Sequence, residues 1–404
     1  MNFDSISEEF QTDKVYLNNA SVSVMPKISI EAMKEFLVSY SEMGPDSPES
    51  EIFIKELWDK TRNAVSKLVK CKPEEIVITQ SVTDGVNIVA NGMNFSDDSN
   101  IIIRGAEHEH HANYFPWLRL GKRISVRNLL VDQNGGFTHQ ILKNSIDEKT
   151  RLVAISHGLY NSGLILPVKE IGEILQKENI PYFLDTAQTV GCIGDFDFVS
   201  TKCDFMSFNA SKWLCGPMGT GVFYCNKRSS DLLEPLSVGG ESADSSKDGK
   251  LEYKELPEKF QAGFRNYVGL AGMESSITYL QNLGLDNIRK YIIKLSNLFI
   301  DEIGKIPESK VYVPEDESVR TSIVSFDIEN NNPETIFSGS CFPISNETIL
   351  VLSASFLGPK TLDSGIFLIS FMNKFDKFMI WFLILSHPKS CKNVIEDSIP
   401  ANPT

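Results

Sequence analysis

Short runs of β-branched and aromatic residues alternate with amphipathic helical stretches between about residues 76 and 225. The helical stretch at 168–178, for example, carries apolar residues at positions 168, 171, 174 and 175. This alternation predicts an α/β domain whose mostly parallel sheet is covered by helices on both faces. The predicted strands are 76–79, 101–104, 124–130, 152–156, 182–184, 205–208 and 221–224.

The chain after residue 256 predicts a second, smaller unit. Two helices are predicted over 270–283 and 287–306, and an alternating strand follows around 320–328. We therefore predict an α/β protein with a smaller α+β C-terminal domain. Residues 1–25 are an N-terminal segment that contributes to the active site or the small domain, and residues 26–255 are the large domain. The small domain starts at residues 256–335, and residues 336–404 are an atypical tail.

The composition excludes several classes of partner. The chain has 404 residues and a formal charge of −14, which argues against nucleic acid or an anionic membrane surface as its main partner. Its seven cysteines form no CxxC pair and no signal peptide is recognised, which indicates reduced thiols in a cytoplasmic protein. Polar and charged residues interrupt the apolar segment 365–385, so it predicts a buried strand and a buried helix rather than a membrane span.

Two charged residues lie just past predicted strands. Asp185 ends a Tyr-Phe-Leu-Asp segment, and Lys212 comes shortly after the strand at 205–208. In open α/β sheets, ligands bind at the carboxyl ends of the strands. A carboxylate that keeps a pyridine nitrogen protonated, together with a lysine that forms a Schiff base, is what pyridoxal 5'-phosphate (PLP) requires. The pair therefore predicts a PLP site.

Seven short motifs surround these two residues. They are YLNNA (16–20), SVTDGVN (81–87), EHHAN followed by PW (109–117), SHGLYNSG (156–163), YFLDTAQ (182–188), FNASKWLCGP (208–217) and FQAGFRN (260–266). In this order they resemble the class V aminotransferase family of fold-type I PLP-dependent enzymes, which includes cysteine desulfurases and isopenicillin N epimerase-like enzymes. The resemblance runs from about residue 15 to residue 285 and implies PLP as the cofactor.

The resemblance implies a binding site for the PLP phosphate at a helix start, where free N–H groups favour anions. The side chain of Ser81 and the backbone of Val82 and Thr83 would bind the phosphate. Asn209 and Ser211 stand where many relatives have serine and histidine, and both can still donate hydrogen bonds to it.

A second set of residues is implied around the PLP ring. Asp185 would pair with the pyridinium nitrogen, and Lys212 would form the Schiff base and move the α-proton. His110 would stack on the ring and assist proton transfer. Gln188 would donate to the phenolic oxygen of the ring.

Further contacts follow from the same resemblance. Either Tyr160 or Asn161 would touch the phenolic oxygen, because the segment is offset by one residue from the family pattern. Asn19 and Ala20 lie in the segment that the family places near the substrate. Where relatives have a threonine that reaches the phosphate of the neighbouring subunit, this chain has a phenylalanine, and the adjacent Arg265 would replace it. A homodimer with active sites at the interface is thus implied.

A metal site is a competing interpretation. His108, His110 and His111 form an HxHH cluster beside Glu107 and Glu109, as in some metal-dependent hydrolases. A zinc site needs further ligands at suitable spacings, and only two other histidines, at 139 and 157, precede the tail. The sequence therefore favours PLP and no metal.

The motifs predict an enzyme that acts on an amino acid but leave the reaction open. Cysteine desulfuration leads narrowly over transamination, and epimerase or lyase activity is an alternative, since the segment around Lys212 resembles the epimerase-like and archaeal-type branches. A PLP-binding protein with impaired catalysis is a further alternative.

The tail departs from the family pattern. No arginine follows Arg320, although relatives carry one in the small domain that binds the substrate carboxylate. Cys341 is predicted to be a plain buried cysteine, because it follows the strand at 320–328 too soon for the sulfur-carrying cysteine of desulfurases. The tail is either a divergent small domain or the product of an out-of-frame reading, and the coding DNA decides between them.

Overall fold

The computed structural model describes residues 6, 8–10, 16–105, 109–132, 135–245, 248–306 and 309–326, and the backbone alone of 327–328, 342–344, 347–353, 366–370 and 381–385. Its helices are α1 (Lys27–Met43), α2 (Pro48–Val69), α3 (Val82–Gly92), α4 (Phe115–Leu120), α5 (His139–Ser145), α6 (Val168–Lys177), α7 (Tyr267–Leu283) and α8 (Leu285–Ile303). The strands of the large sheet are β1 (Ile76–Thr79), β2 (Asn100–Ile103), β3 (Ser125–Asn128), β4 (Thr150–Ser156), β5 (Tyr182–Asp185), β6 (Phe205–Asn209) and β7 (Gly221–Cys225).

These seven strands form one sheet in the order β1-β7-β6-β5-β4-β2-β3. Strands β2 to β6 pair in parallel, whereas β7 is antiparallel to both β1 and β6. Each predicted strand is present, with ends that differ by at most two residues. The predicted α/β architecture with a mostly parallel sheet is confirmed.

Apolar residues cover both faces of this sheet. In β1, Ile76 and Ile78 belong to one hydrophobic cluster, and Val77 belongs to the other. Because both faces are buried, most of the inner strands are nearly continuous apolar runs rather than alternating patterns, whereas the edge strand β3 is partly exposed.

The helices after the large sheet begin where their capping residues lie. The Asn266 side chain accepts the N–H of Gly269 at 2.9 Å and starts α7 three residues before the predicted position. Gly284, with a φ of 87°, separates α7 from α8. In the smaller unit, Phe299 and Ile303 of α8 pack against Val324.

The remaining strands form small antiparallel sheets. They are β8 (Ala243–Ser245), β9 (Leu251–Tyr253), β10 (Ser309–Tyr312), β11 (Ile323–Ile328), β12 (Phe342–Ile344), β13 (Glu347–Ser353), β14 (Ile366–Ser370) and β15 (Trp381–Leu385). The helix predicted at the end of segment 365–385 is wrong, because β15 pairs with β14 as an antiparallel strand. Its aromatic and branched residues suit a strand, and the apolar run is short for a helix. Within the described residues, no helix has the length and apolar character needed to cross a membrane.

Candidate functional site

Three neighbouring parallel strands place polar residues at one edge of the sheet. Ser156 ends β4, Asp185 ends β5 and Asn209 ends β6. Ser156 is paired with Asp185 in the strand register, and Asp185 with Ser207. The carboxyl ends of parallel strands thus gather the motifs that the sequence places far apart.

Asp185 is a buried carboxylate that receives the N–H of Ala187 at 2.9 Å. The pKa of Asp185 is raised to about 7, mainly by burial and to a smaller extent by the negative charge of Glu109. The Ala187 hydrogen bond and the positive charge of Lys212 act in the opposite direction. A cationic group at this position would therefore favour the ionised carboxylate strongly.

Lys212 lies in the loop after β6 and is partly exposed. Its surroundings lower the pKa of its ammonium by desolvation, while the charge of Asp185 raises it. The N-terminal segment holds this loop: the hydroxyl of Ser23 donates to the carbonyl of Lys212, and the Ser23 N–H donates to the carbonyl of Ser211 at 2.7 Å. A lysine with a lowered pKa is a better nucleophile and base than an exposed one.

Gln188 connects the segments of Asp185 and Lys212. Its Nε2 donates to the carbonyl of Ala20 at 3.0 Å, and its Oε1 accepts the indole N–H of Trp213 at 2.8 Å. An amide nitrogen has two N–H groups, so a second one is available to a ligand. Next to Ala20, the side chain of Asn19 is buried, and its Oδ1 has no hydrogen-bond partner among the described residues.

The start of α3 carries the predicted phosphate site. The hydroxyl of Ser81 accepts the N–H of Asp84 at 3.3 Å, and Oδ1 of Asn209 accepts the N–H of Val82 at 2.7 Å. The N–H of Thr83, at the second helical position, has no acceptor within the helix. Asn209 thus lies at this helix start, and its oxygen occupies one of the two backbone donors assigned to the phosphate.

A glycine allows α3 to lie close to β6. A Cβ atom added at Gly85 would lie 2.3 Å from Oγ of Ser207, which is far inside van der Waals contact. The helix start therefore approaches the end of β6 because residue 85 has no side chain.

His110 lies across the site on an exposed turn. Its Nδ1 accepts the N–H of Ala112 at 3.2 Å, which puts the proton of the neutral ring on Nε2. The ring packs edge-on against Tyr160, with centroids 5.5 Å apart. Asn161 is held by a different contact, since its carbonyl accepts the hydroxyl of Ser325. Tyr160 is therefore the residue of this pair that contacts His110.

Arg265 lies beside a cavity of about 460 Å³ that Gln80 and Asp84 also line. Burial lowers the pKa of its guanidinium, and Nε has no partner among the described residues. The adjacent Phe264 is 86% exposed.

The residues of the alternative metal site do not form a ligand cluster in the part of the chain that is described. His108 and Glu107 lie outside the described residues. The ring of His111 stacks on Phe115 with centroids 4.3 Å apart. Both carboxylate oxygens of Glu109 already accept hydrogen bonds from other residues.

Three residues that contact the site were missed by the sequence interpretation or given another role. Ser23 and Trp213 hold the backbone or side chain of predicted site residues, and Glu109 appeared only in the metal alternative. Trp213 next to Lys212 was a visible signal. The contact of Ser23 joins residues 189 positions apart and had no local signal.

The comparisons with known proteins identify the family. The family model for aminotransferase class-V matches residues 15–338. A probable cysteine desulfurase of Methanothermobacter thermautotrophicus is 32% identical over 327 residues, which cover 80% of each chain. A cysteine desulfurase of Escherichia coli is 29% identical over 321 residues, which cover 78% of this chain and 77% of the relative.

Solved structures agree with this result. The apo structure of a cysteine desulfurase from Thermococcus onnurineus has a TM-score of 0.72 and 28% identity, and the alignment covers 80% of this chain and 81% of that one. C-DES with glycine covalently linked to its PLP cofactor has a TM-score of 0.79 at 22% identity, and covers 89% of this chain and 95% of its own. The latter likeness shows the fold alone.

The chain belongs to the class V aminotransferase family of PLP-dependent enzymes, and its fold is fold-type I. The predicted family and fold are thus confirmed. The family match extends beyond residue 285, where the short motifs ended, because α8 and β11 carry the fold without a distinctive motif. It ends at 338, close to the predicted start of the atypical tail.

The residues at the strand ends fit PLP. A buried carboxylate with a raised pKa suits a pyridinium cation, and a desolvated lysine suits the Schiff base. The orphaned Oδ1 of buried Asn19 indicates a polar ligand on the substrate side. One predicted phosphate contact does not fit, because the N–H of Val82 already donates to Asn209.

Proposed function

We propose that this protein is a PLP-dependent enzyme that acts on an amino acid through a Lys212 Schiff base, with cysteine as the leading substrate. The observation that carries the proposal is geometric: Asp185 ends β5 and Lys212 follows β6, the neighbouring parallel strand, so a buried carboxylate and an amine lie at one sheet edge. Burial raises the pKa of the aspartate and lowers that of the lysine. PLP supplies an electron sink for the bond that breaks at the substrate α-carbon.

Each residue around the cofactor ring has a separate role in the proposed reaction. Asp185 would hold the pyridinium charge, and Lys212 would hold and move the proton at the substrate α-carbon. His110 would stack on the ring, and the second N–H of Gln188 would bind the phenolic oxygen with Tyr160 beside it.

The phosphate end uses the start of α3. Ser81 and Thr83 donate to the phosphate, and rotation of the Asn209 amide frees the N–H of Val82 for it. Ser211 adds a hydroxyl donor. The positive end of the helix stabilises the anion.

Cysteine is the leading substrate because the relatives that cover about 80% of the chain are named cysteine desulfurases. Desulfuration moves sulfur to an enzyme thiolate, and the five cysteines among the described residues are unsuited to that role. Burial raises the pKa of each of them, to about 12 for Cys203 and Cys215. Cys341 lies outside the described residues.

This observation favours a second candidate, a carbon–sulfur lyase. In that reaction the sulfur leaves with the product, and no enzyme cysteine is required. Cys341→Ser, assayed with cysteine and an added thiol reductant that frees persulfide sulfur as sulfide, separates the two: loss of sulfide release supports desulfuration, and unchanged release supports the lyase. We expect unchanged release, because Cys341 follows β11 more closely than a sulfur-carrying cysteine does.

Exposed apolar side chains near the site support a homodimer with active sites at the interface. Phe264 lies in the motif 260–266 and is 86% exposed, and Met218, directly after the motif 208–217, is 71% exposed. Arg265 beside them would donate to the phosphate of the partner subunit as a charge-assisted hydrogen bond. Sedimentation analysis of Phe264→Ser tests the dimer, which we expect to dissociate.

The first experiment is an absorption spectrum of the purified protein with added PLP. We expect a yellow protein whose colour borohydride removes by fixing the cofactor to Lys212, as peptide mapping will show. Lys177→Arg, an exposed lysine of α6, is the control and should label as the wild type does. A label on another lysine, or stoichiometric zinc in a colourless protein, contradicts the proposal.

The second experiment distinguishes an enzyme from a binding protein. A panel of amino acids is tested with the wild type and with Asp185→Asn. We expect turnover in the wild type and a loss of several orders of magnitude in the variant with cofactor still bound, because an amide cannot hold the pyridinium proton by charge. Bound cofactor without turnover in the wild type would indicate an impaired enzyme.

A further inference from the structure

A buried ion pair lies directly behind the site. Nη1 of Arg104 is 3.2 Å from Oε1 of Glu109, and both side chains are fully buried. Arg104 follows the last residue of β2, and Glu109 immediately precedes His110. The pair therefore lies between the sheet and the turn that carries the ring-covering histidine.

The carboxylate of Glu109 binds that turn to strand β4. Its Oε1 accepts the N–H of Ser156 at 3.1 Å, and its Oε2 accepts the hydroxyl of Ser156 at 2.5 Å and the side-chain amide of Asn113 at 3.1 Å. The amide oxygen of Asn113 in turn accepts the indole N–H of Trp117 at 2.9 Å. One carboxylate thus receives four donors from three separate segments.

The same carboxylate is adjacent to two residues of the proposed mechanism. His110 is its neighbour in the chain, and Ser156 is the register partner of Asp185 across β4 and β5. Its charge also reaches Asp185, whose pKa is raised first by burial and then by Glu109.

Folding stability alone does not explain such a pair. Buried ion pairs are commonly no more stabilising than well-packed apolar residues of the same volume. In addition, Nε and Nη2 of Arg104 have no acceptor among the described residues, so the guanidinium is only partly compensated.

We propose that Glu109, held by Arg104, is a positioning residue that fixes the His110 turn and the ends of β4 and β5 in one geometry around the cofactor ring. This inference rests on the proposed function. It assigns to Glu109 a role through His110 and Ser156, without contact to substrate.

The test uses a single and a double substitution. Glu109→Gln leaves Arg104 buried without its counter-charge and should lower the melting temperature. Arg104→Met/Glu109→Gln removes both charges at similar volume and should restore the melting temperature to near that of the wild type. We expect the double variant still to bind PLP at least about tenfold more weakly, with an altered visible circular dichroism spectrum of the bound cofactor.

The control is Asp195→Asn, which breaks an ion pair with Lys70 whose side chains are 54% and 39% exposed. We expect it to match the wild type in all three measurements. If the double variant does not fold, Ser156→Ala decides, because it retains the ion pair and removes the hydroxyl contact to Glu109. We expect it to bind PLP several-fold more weakly, with the same spectral change.

Wild-type PLP affinity and circular dichroism in the double variant would overturn the inference and make the pair purely structural. The same result in Ser156→Ala would overturn it if the double variant is unfolded. Failure of the wild type to bind PLP at all is a different outcome, because it contradicts the proposed function itself.

Discussion

The indole N–H of Trp213 donates to Oε1 of Gln188 at 2.8 Å, and this bond joins the residue after Lys212 to the motif that contains Asp185. The other end of the same amide donates to the carbonyl of Ala20. Three segments far apart in the sequence therefore set the orientation of one side chain, whose remaining N–H can face a ligand.

Trp213→Phe keeps most of the ring packing and removes this donor. We expect PLP affinity to fall roughly three- to tenfold, because Gln188 loses a buried hydrogen bond worth about 1 kcal/mol. Titration of the apo protein with PLP measures the change. Trp58→Phe, at a tryptophan that packs edge-on against Tyr267, is the control and should leave the affinity unchanged.

The ionisation of Asp185 makes the stability of the apo protein depend on pH. Burial raises the pKa of its carboxyl from 3.8 to about 7 in the folded state. Between these values the unfolded chain has released the proton and the folded chain retains it, so stability falls as pH rises. Between pH 5 and pH 8, the ionisation of Asp185 should lower the free energy of unfolding by about 2–3 kcal/mol.

Asp185→Asn should remove this loss of stability at high pH. Urea unfolding of the apo forms at pH 5 and pH 8 measures it, and the stability of the variant relative to the wild type should increase with pH. Asp231→Asn, an exposed aspartate, should follow the wild type. An unchanged pH dependence in Asp185→Asn would mean that the carboxyl titrates normally.

The buried imidazole of His157 should make folding stability depend on pH in the opposite direction. Burial lowers the pKa of its imidazole to about 3, with a further contribution from Lys169, and its ring packs against Phe196 and Phe198. Because the unfolded chain binds a proton below about pH 6.5 and the folded chain does not, stability is lost as pH falls. The loss between pH 7 and pH 5 should be about 2 kcal/mol for this group.

His157→Phe should reduce this acid sensitivity, as urea unfolding at the two pH values will show. His139→Gln, at an exposed histidine, should retain it. Equal pH dependence in both variants and the wild type would contradict the prediction.

Gly85→Ala should weaken both stability and cofactor binding. The new methyl group would meet Oγ and Cβ of Ser207 at 2.3 and 2.6 Å, so the start of α3 must move away from β6. Such overpacking costs about 1–3 kcal/mol. We expect a lower melting temperature and weaker PLP binding, whereas Asn91→Ala on the exposed side of the same helix should change neither.

The sequence alone determined the large domain to a considerable extent. Its β-branched and aromatic runs predict every strand of the seven-stranded sheet, because the inner strands are covered on both faces and are mostly apolar, whereas the edge strand β3 is partly exposed. Asp185 and Lys212 were found for a related reason: residues at strand ends are identifiable once the strands are, and their clusters match a family.

The sequence was less informative where contacts join distant segments. The sequence left Tyr160 and Asn161 as alternatives, and only the fold shows that the ring of Tyr160 packs against His110. The segment 365–385 predicted a helix at its end, and cross-strand pairing, which has no local signal, placed β15 there instead.

What the tertiary structure alone decided is the environment of each charged group. Glu109 looked like a metal ligand beside three histidines, yet its carboxylate is filled by Arg104, Ser156 and Asn113. The N–H of Val82 looked free for a phosphate, yet Asn209 accepts it. Residue types and spacing specify which groups are present, but burial and hydrogen bonding between segments determine their charge and availability, because both depend on neighbours that only folding brings together.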